Sequence, residues 1–323
     1  VAPVFPFSFY REGRVYVELI VDTTGRVINP YIVRSTNPWL ERPALEAILQ
    51  WSFEPAVKDG VPVAAKVTQM VEFDPINYAG KFPWHARKAR NHDRLPDDLR
   101  WDEAPVAAAS TFPAYPLEFL QASKGGYAAI RFRINESGVV VAADLVKATA
   151  PELGYAALAS IDAWRFKPAR RKGKPCSALV TMDFDYDPVS GGDVPVSPGM
   201  KGMVRELRRE HPRFLDVADL DRAPKPLSRR PPVYPCTLRQ DGKPGKAVIE
   251  YYLDKNGDAQ LPHIISASRP EFGYAAAQAV ACWRFEPATK NGHEVLARCR
   301  VSVDFFAPSG PGATGDDSVI INA

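Results

Sequence analysis

The chain has 323 residues, 46% hydrophobic and 24% charged, which is too long for one ordinary core and suits two or three domains. A formal net charge of +3 is too near neutral to point to nucleic acid. No apolar run approaches the roughly 20 residues that span a bilayer, and the chain opens on Val1, so any signal peptide or membrane anchor is expected upstream of it.

"PVFP" at 3–6 opens the first unit, residues 1–75. Val15, Val17, Leu19 and Val21 then alternate with Tyr16, Glu18 and Ile20, and this period of two predicts a strand with one face inward. In "DTTG", Asp22 opens a turn through its side chain and Gly25 accepts the positive φ a hairpin needs. The second strand contains Pro30, which has no N–H for a ladder, so a sheet edge is expected. A helix carrying Ala44 follows and ends at Trp51. In "WSFEPAVKDG", 51–60, Pro55 cannot continue a helix and biases the preceding residue toward extended geometry. The turn "KDG" sends the chain into a long last strand with Val67, Val71 and Phe73 inward.

Residues 76–110 lack this pattern and read as a linker. The second unit, 111–188, repeats the order. "PAYP" at 113–116 precedes a strand with Ala128, Ile130, Phe132 and Ile134 inward, then "NESG". Leu153, Ala157, Ile161 and Trp164 form one helical stripe, "WRFKPARRKG" follows at 164–173, and Val180, Phe184 and Tyr186 face inward on the last strand. Residues 189–230 are a second linker, in which "MVRELRREH" predicts a short helix. The third unit, 231–307, has "PVYP" at 232–235, then Ala247, Ile249, Tyr251 and Leu253, "DKNG", Pro262, and the stripe Phe272, Ala276, Val280 and Trp283. "WRFEPATKNG" and a strand with Cys299, Val303 and Phe305 close it. Trp84, Trp101, Phe214 and Leu215 make the linkers too apolar for free tethers, so they are expected to pack on the domains. The Gly-rich tail, 308–323, is expected to be disordered.

Counted from Trp51, Trp164 and Trp283, the units align without a gap from Asp22, Asn135 and Asp254 to Phe73, Tyr186 and Phe305. Three homologous units follow, and their spacers are too long for a stacked solenoid. The fold class is therefore α+β: three tandem small two-layer domains, each an antiparallel three-stranded sheet (β-β-α-β) with one main helix packed on it. A short helical segment is expected after each Tyr-Pro or Phe-Pro.

No enzyme signature is present: G-x-S-x-G, H-E-x-x-H and the P-loop are all missing, and the five histidines do not recur between units. No catalytic residue, cofactor or metal is expected. The four cysteines include no C-x-x-C pair. Cys236 and Cys299 align with apolar positions of the other units. They either meet in a disulfide worth about 2–4 kcal/mol or remain buried thiols.

Taken in order, Tyr-Pro, alternating strand, D-x-x-G, helix, W-x-F-x-P-A-x-x-x-G and a last strand ending in Phe, all three units resemble the C-terminal domain of TonB, the periplasmic energy transducer of Gram-negative bacteria. The resemblance implies a periplasmic protein that binds proteins or extended peptides, outer-membrane transporters among them, by adding a strand to an exposed sheet edge. By position it implies contact at Phe5 and Pro6, Tyr115 and Pro116, and Tyr234 and Pro235. It also implies contact along the last strands, marked by Val71 and Phe73, Phe184 and Tyr186, and Val303 and Phe305. The chain departs from the family in carrying Ala2, Phe112 and Pro231 where TonB proteins commonly have Gln, and in having three such domains. The alternative is an envelope scaffold whose sheet edges serve domain packing or dimerisation. Whether the last-strand edges are free distinguishes the two.

Overall fold

In the computed structural model the described residues are 10–11, 13–36, 40–73, 87–88, 92–189, 192–306 and 319–322; the expected contact residues Phe5 and Pro6 lie outside them. The chain forms two compact units, Val1–Phe82 and Pro83–Ala323. The protein is mixed α and β, mostly strand, with few helices.

In the first unit the strands Val27–Ser35, Gly13–Val21 and Ala65–Phe73 form one antiparallel sheet in that order, so the first strand is central. Val15 pairs with Val71 and Leu19 with Val67, which sets the inward side chains of both strands on one face. The helix Glu41–Ile48 covers that face with Leu40, Ala44 and Ile48. Pro30 lies on the edge strand, as expected from its missing N–H, just after a register shift at Asn29, where φ is 49°.

The turn signals work as read. Asp22 accepts the N–H groups of Thr24 and Arg26 at 2.8 and 2.9 Å. Asn135 and Asp254 do the same in their repeats. Gly25, Gly138 and Gly257 all have φ near 80°, and a Cβ at any of them would overlap the carbonyl oxygen of Phe53, Phe166 or Phe285. Glycine is thus required twice, by its dihedral and by close backbone approach.

The second unit holds the second and third repeats together with the linkers. One sheet runs Val140–Ala148, Gly126–Ile134, Ala178–Tyr186 and Arg87–Lys88; the other runs Ala259–Ala267, Gly245–Leu253, Leu296–Phe305 and Phe214–Asp216. These two repeats, expected as separate modules, pack into one body through the helices Pro151–Ala163 and Pro270–Val280. Tyr155 stacks on Tyr274 with ring centres 5.7 Å apart. Gln278, 3% exposed, donates to Thr111 Oγ1 and the Phe112 carbonyl and accepts from Ala114 N–H. Asp162 accepts the N–H of Cys236 across the same boundary at 3.1 Å. The physical reason is that both helices bury small residues on more than one side, such as Ala157 with Ala159 and Ala275 with Ala277.

Of the linker residues expected to pack, Trp101 is buried and Phe214 and Leu215 are partly buried, while Trp84 lies outside the described residues. The helix of the second linker spans Pro198–Leu207, beginning earlier than predicted because Ser197 caps it through Met200 N–H. Arg213 grips Glu206 with two guanidinium bonds and holds its carboxyl down at about 2. Phe214 lies on Tyr252, ring centres 4.6 Å apart. Within the tail, Val319–Asn322, rich in β-branched residues, pairs antiparallel with Leu296–Phe305.

Candidate functional site

The expected contact surface is the outer edge of each last strand, and the three edges differ. In the third repeat it is covered at both ends. Phe214–Asp216 runs parallel along Leu296–Arg298, and Val319–Asn322 runs along Ser302–Phe305. In the second repeat Arg87–Lys88 pairs with Val180 and Thr181. In the first repeat no described strand lies on the outer side of residues 65–72. The outward side chains there are Lys66, Thr68, Met70 and Glu72, all exposed.

The side chains expected to touch a partner are core side chains instead. Val71, Phe73, Phe184, Tyr186, Val303 and Phe305 are at most 1% exposed. Tyr115 is 2% exposed, donates to the Lys124 carbonyl and stacks edge-on against Tyr186. Tyr234 is fully buried, donates to the Lys243 carbonyl and meets Phe272 edge-on. Pro116 and Pro235 are buried as well. Burial pushes all of the Tyr115, Tyr186 and Tyr234 hydroxyls up. The Tyr-Pro segments therefore close the core. On the last strand of the first repeat the groups left toward solvent are the backbone edge and the outward residues.

Cys236 and Cys299 are both buried and both free, so no disulfide joins them. Burial raises the Cys236 thiol, which lies beside Asp162, and pushes Cys299 up to about 12. Neither is an ionised nucleophile. Cys299 lines a cavity of about 720 Å³ between the second linker and the third repeat, with Tyr251, Trp283, Phe285 and three arginines. Those charges are answered within the fold: Arg298 pairs with Asp216, Arg300 with Glu250, and Arg229 lies over the Trp283 ring. Among the described residues no group of three or more His, Cys, Asp or Glu could hold a metal, and no helix is long and apolar enough to cross a membrane.

One recurring element escaped the motif reading. "DEAP" at 102–105 and "DRAP" at 221–224 stand the same 62 residues before Trp164 and Trp283. Each clasps the W-x-F-x-P-A-x-x-x-G turn of its own repeat. Asp102 N–H donates to the Arg170 carbonyl and its carboxylate accepts from Lys172 N–H at 2.7 Å. Asp221 N–H donates to the Thr289 carbonyl, and its carboxylate accepts from Asn291 and Gly292 at 2.8 and 3.0 Å. The two amides, Gly292 first, hold the Asp221 carboxyl below the usual carboxylate range. The next residues pair antiparallel in one register, Ala107 with Phe166 and Pro226 with Phe285. The signal was present in the sequence, hidden by its assignment to linkers.

Comparison with known proteins agrees with the three-unit reading. A family model described as the Gram-negative bacterial TonB protein C-terminal matches residues 10–75, 111–188 and 230–306. Protein TonB of Vibrio cholerae is 40% identical over 63 residues, 19% of this chain and 26% of that protein. The matching region therefore spans about a quarter of that relative's length. The solution NMR structure of Pseudomonas aeruginosa TonB CTD shares 27% identity, with a TM-score of 0.24 over 30% of this chain and 96% of that one.

Proposed function

The chain belongs to the family of Gram-negative bacterial TonB protein C-terminal domains, and on that premise we propose that it is a periplasmic protein that binds an extended segment of an outer-membrane transporter on its first repeat. The family interacts with such transporters, and its members are energy transducers and interaction proteins. In this reading the protein works by binding and not by catalysis.

One observation carries the choice of repeat. Among the described residues the outer edge of 65–72 has no strand beside it, whereas the corresponding edges of the other two repeats are partly or largely taken. An added strand would gain main-chain hydrogen bonds there, and Lys66, Thr68, Met70 and Glu72 would read its side chains. The covered edges and the helix–helix joint favour a second role for the second and third repeats, a rigid platform, which is the scaffold alternative confined to one part of the chain.

Hydrogen exchange on the full chain, with and without a synthetic extended peptide from an outer-membrane transporter, tests this. The expected result is slowed exchange over 65–72 and unchanged exchange over 298–305. Slowing confined to the third repeat, or no binding at millimolar peptide, overturns the assignment.

A further inference from the structure

We infer that the cavity of about 720 Å³ between the second linker and the third repeat is a binding site for a small aromatic carboxylate. The site is separate from the open edge of the first repeat and does not rest on the transporter reading.

The walls come from two sources. The inward face of the third sheet gives Tyr251, Cys299 and Val301, and the exit from the helix gives Trp283 and Phe285. The second linker closes the other side and is held at both ends. Phe214–Asp216 pairs with Leu296–Arg298, and Pro226–Ser228 pairs with Arg284–Phe285. Asp221 pins the segment between them to the turn at Asn291 and Gly292. The cavity is thus bounded by paired backbone, and its volume falls in the range of about 300–1,000 Å³ usual for small-molecule sites.

The second repeat supplies the contrast. Counted from Trp164 and Trp283, the counterpart of Trp101 is Leu220 and that of Met182 is Val301. Trp101 and Met182 are each 5% exposed. Their counterparts are smaller, under a linker clasped in the same way, and smaller side chains in an equal frame leave volume unfilled. A third exchange adds charge: the buried Ser110 stands where the third repeat has Arg229.

Arg229 decides the class of ligand. Of the three arginines that line the cavity, Arg298 has Asp216 and Arg300 has Glu250. Among the described residues Arg229 has no carboxylate, and its guanidinium carbon lies 5.2 Å from the centre of the Trp283 ring. A ring face attracts a cation but has no net charge, so Arg229 brings one positive charge without a counter-charge to an aromatic cavity. The chain beside it is fixed, because Trp283 Nε1 donates to the carbonyl of Arg230 at 2.8 Å. Burial keeps the Tyr251 hydroxyl protonated, so it is a donor. A flat apolar body against Tyr251, Trp283 and Phe285, with one carboxylate for Arg229, satisfies these walls. An inorganic anion would leave the rings uncovered, and a neutral ring compound would leave Arg229 without a counter-charge.

The test is binding of naphthoate and of its neutral amide, naphthamide, to the full chain, measured by calorimetry and mapped by backbone amide NMR shifts. The expected result is that naphthoate binds about tenfold more tightly than the amide, with shifts centred on Arg229, Tyr251 and Cys299. Arg229→Gln should remove the preference for the acid with a nearly unchanged Tm, since Arg229 is partly exposed and has no ion pair to lose. Arg229→Lys, which keeps the charge, should retain the preference. No binding at millimolar naphthoate, equal binding of acid and amide, an unaltered preference in Arg229→Gln, or shifts confined to other parts of the chain overturns the inference.

Discussion

Phe285 donates its backbone N–H to the carbonyl of Gly257 at 2.8 Å, while the Phe285 carbonyl lies where a Cβ on Gly257 would be. The same exchange joins Phe53 to Gly25 and Phe166 to Gly138. It ties the hairpin turn at one end of the sheet to the exit from the helix, two positions 28 residues apart in each repeat.

Gly257→Ala should therefore be among the most damaging single changes in the third repeat. It forces a side chain into φ of 82° and into the Phe285 carbonyl. The expected loss is about 3 kcal/mol or more, read by chemical denaturation of the full chain. A loss under about 1 kcal/mol would mean the backbone relaxes there.

Gln278→Ala should loosen the joint between the second and third repeats. The change takes donors from Thr111 and Phe112 and the acceptor from Ala114, all at a buried boundary. A loss of about 2–4 kcal/mol is expected, accompanied by separate unfolding of the two repeats in calorimetry.

The Asp221 clasp should depend on pH. Its folded carboxyl is held below the usual carboxylate range by the Gly292 and Asn291 amides, so its contribution is full above the unfolded value and is lost as pH falls through the folded one. Asp221→Ala should remove it at every pH. Amide exchange at Asn291 and Gly292, corrected for intrinsic rates, should then rise to match Asp59 and Gly60 of the first repeat.

Asp162 should behave in the opposite sense. Burial raises its carboxyl, only partly offset by its Cys236 bonds and by Arg239 and Arg165. For an acid raised on folding, stability is highest below the unfolded value and falls as pH rises through the folded one. Asp162→Asn keeps an acceptor for Cys236 N–H and removes the ionisation. The variant should have a higher Tm than the parent at pH 8 and lose that advantage near pH 3.

Much of each repeat was legible because its signals are local. Asp22, Gly25, Pro30 and the Val15–Val21 alternation each have one physical reading, and the strand order follows from short connections. The union of two repeats was less visible. Its sign lay in "LGYAALASIDA" and "FGYAAAQAV", helices small and apolar on more than one side, beside "ERPALEAI", whose charges leave one stripe. The burial of the expected contact residues has a simpler reason. Phe184 and Phe305 were rightly read as inward, and an inward side chain on a two-layer domain faces the helix, not a partner. Asp102 and Asp221 were missed because their partners lie 70 residues away in sequence, beyond any local pattern.

The central claim, that the first repeat offers the open edge, is tested most directly by site-specific photocrosslinking in Gram-negative cell envelopes. A photoreactive residue is placed at Thr68 in the first repeat and, in a second variant, at Arg300 in the third, and captured proteins are identified by mass spectrometry. The account predicts that outer-membrane transporters are captured from Thr68 and not from Arg300. Capture of transporters from Arg300 alone, or from neither position, would contradict it.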